Sequence, residues 1–117
     1  MARERRERME LLQGTLDMLV LRTLLLGELH GYGIAQSIRQ SSGGALLIEA
    51  GSLYPALQRL ELQKLLSAKW QISDTGRRAR FYKPTAAGRR KLASSLTRWE
   101  EFVETIGMVL RPVEGPK

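Results

Sequence analysis

Apolar positions recur three and four residues apart at the start of the chain: Leu16, Leu19, Val20, Thr23, Leu24 and Gly27 share one side of a helical wheel. The spacing predicts a first helix over Thr15 to Leu26, ended by Gly27. The glycines of His30-Gly31-Tyr32-Gly33 permit a tight turn, after which Ile34, Ala35 and Ile38 form one side of a short helix. Ser41-Ser42-Gly43-Gly44 stops that helix. Ala45 to Glu49 is a short apolar run, either a brief strand or plain extended chain. A third helix is expected to start at Gly51-Ser52, with Ser52 as N-cap and Pro55 in the first turn, where proline is tolerated. Its inward stripe is Leu53, Leu57 and Leu60. A rotation of about 100° per residue sets Tyr54, Pro55, Gln58 and Leu62 opposite that stripe, with Ser52 and Arg59 on the flank.

After Leu66 the period changes to two. Ala68, Trp70 and Ile72 alternate with Lys69 and Gln71, and Phe81 and Lys83 alternate with Arg80 and Tyr82. Between them lies the turn-rich Ser73-Asp74-Thr75-Gly76-Arg77-Arg78, so the two runs read as a hairpin with a charged tip. Pro84-Thr85-Ala86-Ala87-Gly88 closes the second strand and caps a long final helix. There Leu92, Leu96, Trp99, Val103, Ile106 and Leu110 follow one another at four, three, four, three and four residues, a heptad seam. Helix, short helix, third helix and hairpin, in that order, make an α+β winged helix-turn-helix. The expected division is residues 1–84 for this domain with a basic N-terminal extension, 85–110 for a C-terminal dimerisation helix, and 111–117 for a tail.

Composition narrows the chemistry. A chain of 117 residues with 43% hydrophobic and 26% charged residues suits one soluble domain. Without cysteine there is no thiolate nucleophile, disulfide or Cys-ligated metal, and His30, the sole histidine, is too little for a His-based site. His30 is expected as a turn or capping residue. Glu100, Glu101 and Glu104 read as solvated charges on a helical face, so no catalytic residue and no cofactor is expected. Leu16 to Leu29, the most apolar stretch, contains Asp17 and Arg22 and falls short of the ~20 residues of a membrane span. The expected location is the cytoplasm.

The net charge of +7 is unevenly distributed. From Lys64 to Arg98 ten basic residues face Asp74 alone, and the rest of the chain is slightly acidic. A field this concentrated favours polyanions, with duplex DNA ahead of anionic membrane, although a basic surface also serves solubility alone. In a winged helix the third helix presents its polar face to the major groove. Ser52, Gln58 and Arg59 are then candidates for base-edge hydrogen bonds, and Tyr54 for a phosphate or a thymine methyl. Arg77, Arg78 and Arg80 suit phosphate or a narrow minor groove. Tyr32, Tyr54 and Pro55 complete the DNA-facing set, with simple packing as the alternative for the two tyrosines. Arg89, Arg90 and Lys91 fit either backbone phosphates or plain exposure.

Leu12-Gln13-Gly14-Thr15-Leu16-Asp17, His30-Gly31-Tyr32-Gly33-Ile34, Gly51-Ser52-Leu53-Tyr54-Pro55-Ala56-Leu57, Leu60-Glu61 and Gly76-Arg77-Arg78-Ala79-Arg80-Phe81-Tyr82 together resemble the PadR family of bacterial transcriptional regulators. The match runs in order from about residue 11 to residue 106. Pro84 departs from it, standing where the family usually has an apolar residue. The resemblance implies a dimeric DNA-binding repressor, similar to members whose C-terminal part is a single helix and which often respond to small hydrophobic or aromatic molecules. Two copies of the heptad stripe would cover each other, placing two recognition helices for a pseudo-palindromic operator, with Trp99 beside the seam as a candidate effector contact. The bland alternative is a stripe that covers only its own domain. A winged-helix protein-interaction module without specific DNA binding is the alternative function.

Overall fold

The first described helix, α1 (Gln13–Leu24), runs through the middle of the molecule and packs against three other helices. This is a computed structural model, and it describes residues 13–112; the basic N-terminal extension and most of the expected tail lie outside them. Because α1 is surrounded, it is buried on more than the expected face: Met18 and Leu21 join Leu16, Val20 and Leu24 in the core, while Thr23 is only half-buried. It also ends earlier than its apolar pattern suggests. Leu25, Leu26 and Gly27 donate backbone bonds to Arg22, Thr23 and Leu24, the tighter i→i−3 pattern that closes a helix, and this turns Leu25 and Leu26 outward.

Two residues, Leu29 and His30, form strand β1, which the sequence pattern did not reveal. Helix α2 (Gly31–Ser41) follows with His30 as its N-cap, the ring Nδ1 accepting from the Gly33 amide at 3.0 Å, in keeping with the expected capping role. Gly43, at φ +63°, ends it in a left-handed turn. Residues 45–49 form no strand. Helix α3 (Ala50–Leu62) has Glu49 at its cap, three residues before the expected one. This corrects the role given to Ser52, which lies inside the first turn with its amide bonded to the Glu49 carbonyl. Pro55 accordingly falls in the second turn. Leu53, Ala56, Leu57 and Leu60 are buried, as the stripe predicts.

No glycine follows α3. Lys64 itself adopts φ +62°, with its amide on the Glu61 carbonyl and that of Leu65 on Leu60, so a lysine fills the left-handed position that usually favours glycine. Strands β2 (Leu66–Ile72) and β3 (Arg78–Pro84) then make the antiparallel hairpin, paired from Leu66 with Pro84 to Ile72 with Arg78. β1 pairs with β3 on its other side, giving the order β1-β3-β2. Tyr82 and Pro84 are the buried residues of β3, so Pro84 both ends the strand and supplies the apolar contact expected there.

Thr85 caps α4 (Ala86–Leu110), accepting from the Gly88 amide at 3.0 Å and donating through its hydroxyl to the Lys64 carbonyl at 2.8 Å. Leu92, 3% exposed, belongs to the protein's own core, which corrects its assignment to the seam: the first turns of α4 lie on the body. From Leu96 onward every residue of α4 is exposed. The helix therefore carries an apolar stripe of Leu96, Trp99, Val103, Ile106 and Leu110 with no partner among the described residues.

Candidate nucleic-acid interface

The hairpin register decides which side chains the wing presents. Opposed residues in an antiparallel pair share a face, so Trp70 lies with Arg80, Ile72 with Arg78 and Ala68 with Tyr82. That face looks across an open groove of about 890 Å³ toward α2 and α3, and Tyr32, Tyr54, Trp70, Arg77, Arg78 and Arg80 line it. Five of the nine DNA-facing residues expected from the sequence thus meet in one groove. Ser52, Pro55 and Gln58 lie exposed on α3 outside it.

Small residues make the groove possible. A β-carbon on Gly31 would stand 2.7 Å from the Tyr54 hydroxyl oxygen and 2.8 Å from two ring carbons, so only glycine lets that ring lie across the start of α2. Tyr32 projects from the same turn, its hydroxyl accepting from the Gln36 amide nitrogen at 2.7 Å, and most of its ring stays open to solvent. At the tip, Gly76 takes φ +83° and Ser73 donates its amide to the Arg77 carbonyl at 2.7 Å, which directs Arg77 and Arg78 outward.

Two of the predicted contacts are already engaged by carboxylates of the protein itself. Arg59 is half-buried and its Nη2 donates to the Asp17 carboxylate at 2.6 Å, tying α3 to α1. Its position on the flank of α3 brings it to the body, away from the exposed stripe of Tyr54, Pro55 and Gln58. Arg80 donates to Glu61 near the end of α3, and this hydrogen bond holds its guanidinium above the ordinary arginine range. Beside it burial pushes the Tyr82 hydroxyl up, opposed by the Arg80 charge. Arg80 thus latches the wing to α3, with a charge already neutralised.

The sequence pattern singles out neither Trp70 nor Glu61 for a role in binding. Trp70 is 51% exposed, and the Arg78 guanidinium carbon lies 4.6 Å from its ring centroid, with that of Arg80 at 5.8 Å. Such a cation–π contact contributes about 0.5–1 kcal/mol at an exposed site. Counting outward from the turn would have paired Trp70 with Arg80. The opposite face of the wing is anchored separately: Gln71 donates to Glu28 at 2.8 Å and Lys69 lies 3.5 Å from the same carboxylate, and the Gln71 bond leads the contacts that hold Glu28 below its usual value.

The surface so built is a polar helix face beside a cationic wing, suited to a groove and its flanking phosphates. No group of His, Cys, Asp and Glu suited to a metal occurs among the described residues, and none of their helices is long and apolar enough to cross a membrane. Comparison with known proteins shows the family and the fold. The sequence pattern of the transcriptional regulator PadR-like family matches residues 20–94. The transcriptional regulator Rv3488 of Mycobacterium tuberculosis is 34% identical over 79 residues, spanning 68% of this chain and 70% of that protein. A PadR family transcriptional regulator from Eggerthella lenta superposes with a TM-score of 0.74 at 32% identity, covering 86% of each chain. A transcriptional regulator from Clostridium thermocellum gives 0.76 at 26% identity, over 82% of this chain and 93% of its own.

Proposed function

The chain belongs to the PadR-like family of transcriptional regulators, and we propose on that premise that it is a homodimeric repressor of a pseudo-palindromic operator. Helix α3 reads the major groove through Ser52, Tyr54, Pro55 and Gln58, while Tyr32 and the wing hold the flanking backbone. The observation that carries this reading is the common groove of α2, α3 and the wing, in which Arg77 and Arg78 face the same opening as Tyr32 and Tyr54. A small hydrophobic or aromatic effector releases the operator by lodging beside Trp99. The exposed Trp99–Phe102 pair, with ring centroids 6.3 Å apart, supports that part of the proposal. Members of the family are regulators rather than enzymes, and the chain is one of them.

The wing arginines divide into two kinds, and salt separates them. Replacing Arg77 and Arg78 with alanine should flatten the dependence of log affinity on log salt by about 1 for each phosphate contact removed. Arg80→Ala should weaken binding with little change in slope, because Glu61 already holds that charge. Fluorescence anisotropy on a labelled duplex at several salt concentrations checks both. A slope unchanged by the Arg77 and Arg78 replacements removes the wing from the interface.

A further inference from the structure

We infer that Trp70 is a positioning residue for DNA binding: its ring holds the Arg78 guanidinium aimed into the groove between the wing and α3. The inference rests on the reading of that groove as the DNA surface. Arginine carries several rotatable bonds, so an unrestrained Arg78 on an exposed strand end would have to be ordered at the moment of binding. Trp70 removes part of that cost. It sits two residues along β2 from the partner of Arg78, the diagonal cross-strand position from which a large ring reaches, and its centroid lies 4.6 Å from the guanidinium carbon. No described carboxylate pairs with Arg78, whereas Arg80 is fastened by Glu61. The two arginines are thus fixed by different means, Arg80 by an ion pair to Glu61 of α3 and Arg78 by a ring that leaves its charge available. Stacking on an aromatic face leaves the edge of the guanidinium free, and that edge carries the donors that fork onto phosphate. A tryptophan about half open to water on a strand face is otherwise hard to explain, since it contributes little to the core.

The test uses Trp70→Leu and Trp70→Phe in the full chain, each alone and combined with Arg78→Ala. Trp70→Leu should lower affinity for duplex DNA about fivefold with an unchanged salt slope, since the phosphate contacts stay while their ordering is lost. Trp70→Phe should recover most of that loss, and Trp70→Leu added to Arg78→Ala should cost nothing further. In the free protein, NMR should show the Arg78 side-chain protons shifted upfield by the ring current, and the shift should vanish in Trp70→Leu. Additive losses, full affinity in Trp70→Leu, or no upfield shift in the free protein would each overturn the inference. A wild-type protein that ignores DNA while keeping the ring-current shift would instead overturn the functional reading, leaving the stack intact.

Discussion

Ile106→Glu will turn the proposed dimer into monomers and abolish operator binding while leaving helicity unchanged. From Leu96 to Leu110 the apolar stripe of α4 has no partner among the described residues, and Ile106 is 38% exposed. In a two-fold seam the same stripe returns from the partner, so one substitution places two carboxylates in the same apolar layer. Burying each costs several kcal/mol, enough to raise the dimer dissociation constant by about a thousandfold or more. Sedimentation should then give the 13.2 kDa of a single chain. Operator affinity should collapse too, because one recognition helix loses the second half-site that its partner held in register. Since Ile106 lies well past the last core contact of α4 at Leu92, far-UV circular dichroism should match the wild type. A variant that sediments as a dimer would show that the stripe is not the seam.

The second large effect is on stability. Gly88 is buried where α4 leaves the wing, and a β-carbon there would stand far closer to the Leu65 carbonyl oxygen than van der Waals contact allows, against a backbone atom that cannot swing aside. That carbonyl also accepts the Thr85 amide at 3.1 Å, so moving it would open the junction that fixes the direction of α4. Gly88→Ala should therefore destabilise the protein by about 2–4 kcal/mol, roughly 10 °C or more in Tm. Gly51→Ala is the control: a β-carbon there meets nothing within 4 Å, and alanine in a helix should leave the melting temperature unchanged or slightly raised. Equal melting curves for the two variants would remove the steric account of the junction.

What the sequence revealed follows from how local each signal is. The helical stripe of α3, the hairpin with its basic tip and the Thr85 cap are written in neighbouring residues, and all three stand in the structure. Strand β1 was hidden because two residues set no period; it exists only through its pairing with Phe81 and Tyr82 on β3. The end of α3 was hidden because Lys64 takes a conformation that glycine ordinarily signals. Arg59 was misplaced because its partner Asp17 lies 42 residues away, and no helical wheel shows a neighbour from another helix. The heptad spacing at Leu92 satisfies an internal core and an external seam equally, so the point where α4 leaves its own domain became visible only with Leu92 buried and Leu96 exposed.

In the proposed dimer, two copies of the α3 face, each beside a cationic wing, read duplex sequence together. Selection of bound duplexes from a randomised pool, carried out with the intact protein at physiological salt, tests this reading most directly. An inverted repeat should emerge, its half-sites centred about one helical turn or a multiple of it apart, as two symmetry-related copies of α3 require. Recovery of a pool without any enriched sequence would contradict the account, and would do so even if the protein bound all duplexes in a strongly salt-dependent way.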